Sequence, residues 1–371
     1  MSTQPLAEIV VDLEAIRGNL RRLRELAGTE VMAVVKADGY GHGMVEVARA
    51  AREVGIRWLG VATLAEALAL RAAGDAGRLL CWLAAPGADY RPLIAADIDV
   101  TAYTPEDVEA IAAAAREVGA TARLQLKFDT GLSRGGAPRS GWPALIQAAA
   151  DAEDVVVTGL WSHFACSDEP EHPANDAQEA AFREAVELAR AAGLEPEICH
   201  LANSAAALLR PTSRFDLVRC GIATYGLSPA PAVVSEQEFG LTPAMTVRAT
   251  VVLSKNIQQG DGVSYGHTFV APEDMPVALI PLGYGDGVPI AASSRAQVQL
   301  KGERVPILGR VCMDQFVVGP TTALPGDVAV LFGDGADGGP TAQDWARWCA
   351  TIAYEIVTRT QGRATRRWIN Q

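Results

Sequence analysis

Between residues 31 and 225, short apolar runs alternate with Ala-rich segments whose apolar positions recur at helical spacing. The runs are VMAVVK at 31, IRWLGVA at 56, RLLCWLA at 78, DIDVTAY at 97, RLQLKFD at 123, VVVTGLWSHF at 155, EICHLA at 197 and FDLVRCGI at 215. Segments such as MVEVARAAREVG, TPEDVEAIAAAAREVG and NDAQEAAFREAVELARAAG fall between them, which predicts repeated strand-helix units. Thr104 and Asn175 read as N-caps, and Gly119 and Gly193 as helix stops. Eight such units point to an α/β fold, a (β/α)8 TIM barrel, preceded by the strand-like EIVVDL and a helix from Leu13 to Leu26. A doubly wound open sheet is the other fold this pattern allows.

From about residue 240 the period changes. MTVRATVVLSKNI, PVALIPLGYGDG, AQVQLKGERVPILGRVCMDQFVV and DVAVLFG alternate apolar and polar positions between Gly, Asp and Pro turns, which predicts a mostly β domain. One helical stretch, TAQDWARWCATIAYEIVTRT, closes it, and the Pro-rich SPAPAVVSEQ reads as a linker. The expected division is a barrel over 1–235 and a β domain over 236–371. The length of 371 residues agrees with two cores, since one core stops growing at roughly 250–300 residues.

Charge and composition narrow the function. The net charge of −12 leaves no basic surface for a polyanion, so no nucleic-acid partner is expected. The start MSTQPLAEIVVDLEAIRGNL lacks a signal-peptide pattern and no apolar run approaches about 18 residues, so a cytoplasmic protein without a membrane partner is expected. The six cysteines form no C-x-x-C pair, and five sit in apolar surroundings typical of free thiols. His42 and His267 lie in Gly-rich turns and no metal-binding histidine spacing occurs, so no catalytic metal is expected.

In a TIM barrel, chemistry gathers at the C-terminal ends of the strands. There this chain places Lys36, Lys127 with Arg134, His163, Asn203 with Ser204, and Arg219 with Gly221. Lys36 ends the apolar run AVVK. A buried cation there is costly unless neutralised, paired or used covalently, which is the setting of a Schiff-base lysine; on the strand alone a lysine that only reaches out to solvent is the favoured reading, and the neighbourhood decides. The loops after strands seven and eight, ANSAA and RCGIATYG, stand where such barrels bind phosphate. With Lys36 and Tyr40 on the same rim, the set suits an aldehyde cofactor carrying a phosphate.

AVVKADGYGHG, KFDTGLSR, SHFA, HLANSAA, VRCGIATYG, VSYGHTF, LGYGDG, GRVCMDQ and IAYEI follow one another in the order and spacing of a known family. Over essentially its whole length the chain resembles the alanine racemases, fold-type III pyridoxal-phosphate enzymes. The resemblance implies pyridoxal 5′-phosphate carried by Lys36, with Tyr40, Asn203, Ser204, Gly221, Ile222 and Tyr354 binding the cofactor and Arg219 against its pyridine nitrogen. It implies two bases, Lys36 on one face and Tyr265, supplied by the partner of a homodimer, on the other. Arg134 and the partner's Met313 would bind the substrate carboxylate. His163, Lys127, Asp314 and Tyr284 would support the site, and the lysine matching Lys127 is carbamylated in many members. The product implied is D-alanine for peptidoglycan.

Leu132 stands where the family usually has methionine, and Val288, Pro289 and Ile290 where it often has Tyr-Pro-Arg, which leaves side-chain preference open. A serine-directed or broad amino-acid racemase shares every catalytic residue. A fold-type III decarboxylase fits Tyr265 and the MDQ motif less well, and a pyridoxal-phosphate carrier is usually a single barrel without the second domain.

Overall fold

The computed structural model describes residues 5–371; residues 1–4, the start of the expected barrel domain, lie outside the described residues. The first strand, β1 (Ala7–Asp12), leads into a helix over Leu13–Ala27, which Asp12 caps by accepting from the amides of Glu14 and Ala15. Eight parallel strands follow: β2 (Glu30–Val34), β3 (Trp58–Thr63), β4 (Arg78–Leu83), β5 (Asp99–Ala102), β6 (Ala122–Lys127), β7 (Val155–Trp161), β8 (Ile198–His200) and β9 (Leu217–Cys220). All eight coincide with the apolar runs. Their order is β8-β7-β6-β5-β4-β3-β2-β9. The two ends meet where the amide of Asp216 donates to Cys199 (3.1 Å) and that of Arg219 to Ala202 (2.9 Å), closing the barrel.

Thr104 forms a capping box with Asp107 and Gly119 ends that helix at φ +67°. Asn175 is not a cap. It lies inside the helix Ala174–Ala191, buried, with its amide nitrogen donating to the carbonyls of Cys166, Glu169 and Pro170. An Asn just before an amphipathic run reads as a cap, but here its side chain ties down the preceding loop instead.

The second sheet has nine strands, adding β10 (Met245–Thr250), β11 (Leu253–Ile257), β14 (Met275–Ile280), β15 (Gln297–Leu300), β16 (Glu303–Leu308), β17 (Phe316–Val318), β18 (Val328–Phe332) and β19 (Thr365–Ile369) to β1; β12 (Gly262–Val263) and β13 (Phe269–Val270) form a separate ribbon. β1 therefore belongs to this sheet and not to the barrel. It runs antiparallel to β10 (Ile9 opposite Val247) and parallel to β19 (Val10 opposite Arg367). The closing helical stretch is two short helices, Ala342–Trp348 and Ala353–Arg359, broken where Ala350 adopts a positive φ. All six cysteines are free thiols; Cys81, Cys199, Cys220 and Cys349 are buried, whereas Cys166 and Cys312 are half-buried. Among the described residues no helix is long and apolar enough to cross a membrane.

The outward faces of the barrel strands, such as Val31, Leu59, Leu79, Val100, Leu124 and Val218, are buried in the main core. The inward face is unusually polar. Asp99, fully buried, accepts from both Arg78 (3.0 Å) and Arg123 (3.2 Å), and also from Gln125 (3.3 Å) and Thr158 (2.6 Å). Gln125 in turn accepts at 2.8 Å from His200 Nε2, one layer nearer the C-terminal rim.

Candidate active site

Buried Arg219 of β9 organises the rim. Its guanidinium donates to the carbonyls of Ser162 (2.7 Å), Leu201 (3.0 Å) and His200 (3.1 Å), and to the Nδ1 atoms of His200 (2.9 Å) and His163 (3.0 Å). Both Nδ1 atoms must accept, so both imidazoles carry their proton on Nε2. That assignment lets His200 donate to Gln125, and Gln125 to Asp99. A directed chain of donors thus links the guanidinium to a carboxylate deep in the barrel. Burial pulls the Arg219 pKa down to about 9, so it stays charged near neutrality. Burial, then Arg219, Arg134 and the two lysines, hold His163 far below its ordinary range, so it stays neutral.

Two indoles form the floor. Trp161 carries Lys127 Nζ at 4.4 Å and Arg219 Cζ at 5.0 Å from its ring centre, and Trp82 carries Lys36 Nζ at 5.6 Å. Lys36 is pushed down in pKa by burial first, then by Arg134, with Arg219 adding and Glu66 opposing. Lys127 falls to about 8, through burial and then Arg219 and Arg134. Arg134 is exposed and makes no hydrogen bond or ion pair among the described residues. Lys36, Lys127, Arg134 and Arg219 thus act on one another electrostatically, which is a setting for anions and for an unprotonated amine nucleophile.

Beyond Lys36 the backbone turns left-handed: Ala37, Asp38, Gly39 and Tyr40 have φ of 52°, 53°, 62° and 51°. Each non-glycine residue in that region costs roughly 1–2 kcal/mol. Glu66 holds the start of the turn, accepting from the Ala37 amide at 2.7 Å. Tyr40 lies buried, its ring centre 4.9 Å from Tyr225 and 6.2 Å from Tyr354. Burial raises both the Tyr40 and Tyr354 phenols well above their ordinary range, so both remain donors.

The two expected phosphate loops meet this turn. Asn203 caps the helix Ser204–Leu209, accepting from Ala206 (3.1 Å) and from Ser167 (2.8 Å). Ser204 Oγ accepts from the Gly221 amide at 2.9 Å, which leaves its hydroxyl proton to donate elsewhere. Gly221 is required: a methyl group there would run into the Tyr40 hydroxyl. Ile222, fully buried, opens the 3-10 turn that follows. Hydroxyl donors on a glycine cradle, beside a depressed lysine and a buried arginine, fit the phosphate, aldehyde and ring nitrogen of pyridoxal phosphate.

The expected β-domain residues stand apart. Tyr265, 71% exposed, lies in the 3-10 turn between β12 and β13, and Met313 is 54% exposed. Tyr284 and Gly285 donate to the carbonyls of Cys312 and Met313, and Ser264 donates to Arg310 (2.7 Å), so these turns share one exposed patch. Asp314 pairs with Arg363 (2.7 Å), which also grips buried Asp286 of the GYGDG turn. Among the described residues no hydrogen bond or ring contact joins Tyr265, Tyr284, Met313 or Asp314 to the barrel rim. His200, Gln125, Asp99, Trp82 and Trp161 were not anticipated as part of the site. The available signal was polar residues at alternate positions of strands otherwise buried on both faces.

Residues 11–229 match the family model described as alanine racemase, N-terminal domain, and residues 244–368 the model for its C-terminal domain. The chain belongs to the alanine racemase family. It is 54% identical over 358 residues to the alanine racemase of Salinispora arenicola, covering 95% of each chain, and 50% identical over 376 residues to that of Streptomyces coelicolor, covering 98% of this chain and 96% of the relative. The solved alanine racemase structure from D-cycloserine-producing Streptomyces lavendulae superposes with a TM-score of 0.98 at 48% identity, covering 100% of this chain and 98% of the other. The alanine racemase structure from Corynebacterium glutamicum reaches 0.86 at 39% identity, over 99% and 100%.

Proposed function

We infer that this family member interconverts L- and D-alanine with pyridoxal 5′-phosphate, working as a homodimer with shared sites in the cytoplasm and supplying D-alanine to peptidoglycan. The observation that carries the reading is the Lys36 amine, depressed by burial and by Arg134, beside the Ser204–Gly221 cradle. When bound, the cofactor supplies an aldehyde for the Lys36 amine and a conjugated ring that takes up electron density from the substrate α-carbon. Tyr40, Tyr354, Ser204 and the backbone at Gly221 and Ile222 hold its phosphate, with Asn203 fixing the helix start. Arg219, still charged near neutrality, would donate to the ring nitrogen and so keep it unprotonated, which would moderate the ring as an electron sink.

Racemisation needs a proton moved from one face of the α-carbon to the other. Lys36 Nζ serves one face. Tyr265, exposed and without a hydrogen bond or ring contact to its own barrel rim among the described residues, serves the other in a second copy, where His163 Nε2–H is free to donate to its phenol oxygen. Arg134 and the partner's Met313 receive the substrate carboxylate, Tyr284 lines the approach and Asp314 holds it through Arg363. The neutral fraction of Lys127 suits it to carbamate formation, in which the amine adds carbon dioxide, releases a proton and presents a carboxylate to Arg134. Four buried free thiols fit a reducing compartment. The labour divides near residue 235, with β1 completing the second unit.

The test follows solvent deuterium during turnover. Tyr265→Phe should impair abstraction from L-alanine far more than from D-alanine; equal loss in both directions would refute the two-base assignment. Mixing inactive Lys36→Ala and Tyr265→Phe chains should restore activity through hybrid sites, whereas a fully active monomer would refute the shared site. A serine-directed racemase is the second reading, left open where Leu132 and the exposed Ile290 depart from the family pattern, and chiral product analysis with both amino acids separates the two.

A further inference from the structure

The AVVKADGYGHG segment contains a residue that the chemistry above does not use. His42 is completely buried, directly beyond the left-handed turn. Its Nδ1 lies 3.0 Å from the carbonyl oxygens of both Gly39 and Tyr40. Carbonyls only accept, so Nδ1 carries the proton and donates to both. The imidazole stacks on Tyr225 at 4.4 Å, and Tyr225 in turn packs on Tyr40 at 4.9 Å. Tyr225 is itself pinned by donating its hydroxyl to Val34, two residues before Lys36, at 2.9 Å.

The last strand grips the same turn from outside. Arg366 of β19 pairs with Asp38 at 2.6 Å, and Trp368 Nε1 donates to the His42 carbonyl at 2.8 Å. Asp38 also accepts from the Met44 amide at 2.9 Å, tying the turn to the next helix. Gly43, at φ +101°, leaves room for the Trp368 indole, which a Cβ would meet at 2.8 Å.

We propose that His42 and Arg366 are positioning residues that hold the left-handed turn so that the Tyr40 hydroxyl stays against Gly221 and Lys36 stays over Trp82. A run of five positive-φ residues, Ala37 to Gly41, has no intrinsic reason to persist, and the surroundings must over-determine it. His42 does so from inside by bridging two of the five carbonyls, and Arg366 does so from outside through the side chain of Asp38. Burial also pulls the imidazole down to about 4, so it remains neutral and its single proton stays on Nδ1 throughout the physiological range.

The inference rests on Tyr40 binding the cofactor phosphate, and the experiment separates the two. Full-length chain is stripped of cofactor and titrated with pyridoxal 5′-phosphate by fluorescence, as wild type, Tyr40→Phe, His42→Phe, His42→Asn and the Tyr40→Phe/His42→Phe double variant. Tyr40→Phe and His42→Phe should each weaken binding roughly five- to tenfold, the loss of about one hydrogen bond. The double variant should be no weaker than the singles, because both act through one hydroxyl. His42→Asn, whose amide nitrogen sits where Nδ1 was, should recover most of the affinity; a merely structural ring would not be rescued by so small a side chain. Wild-type affinity in Tyr40→Phe overturns the phosphate role of Tyr40 and this inference with it. Loss in Tyr40→Phe combined with wild-type affinity in His42→Phe, or additive loss in the double variant, overturns the inference alone. Should His42→Phe fail to fold, Arg366→Met at the more exposed ion pair carries the test: faster amide exchange over residues 37–43 with weaker cofactor binding is expected, and unchanged exchange refutes the brace.

Discussion

Replacing Asp99 by Asn removes one charge and no volume from the interior of the barrel. The carboxylate receives five hydrogen bonds, two from Arg78 and one each from Arg123, Gln125 and Thr158. An amide in its place turns a donor toward groups that themselves donate. Removing one partner of a buried charge cluster costs about 3–5 kcal/mol. Here Arg78 retains Glu197 and Arg123 retains Asp97, and both arginines reach solvent, so the lower end, about 3 kcal/mol, is expected. For a unit of this size that lowers Tm by roughly 6–12 °C. The effect should also travel upward: if Gln125 rotates to satisfy the new amide, it offers its nitrogen to His200 Nε2, and His200 can no longer present a lone pair to Arg219 without losing its own partner. Urea and thermal unfolding followed by tryptophan fluorescence measure the first effect, and cofactor absorbance in the folded variant measures the second. A change below about 1 kcal/mol with an unaltered spectrum would refute the description of the barrel interior as one donor chain ending on Asp99.

Three further outcomes follow from the same geometry. Lys127, with a folded pKa near 8 against 10.5 unfolded, is charged in both states below pH 8 and there carries its full burial cost; between pH 8 and 10.5 the unfolded state binds more protons, so stability should rise with pH, by up to about 3 kcal/mol, and Lys127→Met should flatten that rise in carbon-dioxide-free buffer. A wild-type pH profile in the variant would contradict the burial of the amine. Arg134→Gln should raise KM for alanine more than it changes cofactor affinity, since the exposed guanidinium has no hydrogen-bond or ion-pair partner among the described residues; parallel loss of both would assign it to the cofactor instead. Thr104→Ala removes one side of a capping box and should cost about 1 kcal/mol in chemical denaturation with kcat unchanged.

The barrel was legible because its outward strand faces are continuous with the core and its helices carry ordinary stops. β1 was not legible as a member of the second sheet. EIVVDL reads as a strand, and nothing local says that its partners lie more than two hundred residues away. The rim residues could be read because a lysine or arginine at the end of an apolar strand needs a reason. Asp99, Gln125 and His200 escaped because chemistry was sought at the C-terminal rim, and nothing local in DIDVTAY, RLQLKFD and EICHLA says which of their polar residues meet inside the barrel. Here they face the barrel axis. Tyr265 was assigned by resemblance alone, and its exposed turn in the structure explains why: among the described residues no burial, cap or side-chain partner marks it.

The placement of β1 between β10 and β19 also sets an order of events during synthesis. Ile9 leaves the ribosome 238 residues before Val247, its neighbour in the sheet. At about 5–20 residues per second, the strand waits roughly 10–50 s for its first partner and longer for β19. The barrel can close in that interval, and the second sheet cannot, so β19, which carries Arg366 against the turn beside Lys36, arrives after the barrel strands. A nascent chain therefore assembles the Ser204–Gly221 cradle before it has the strand that pairs with the turn beside it.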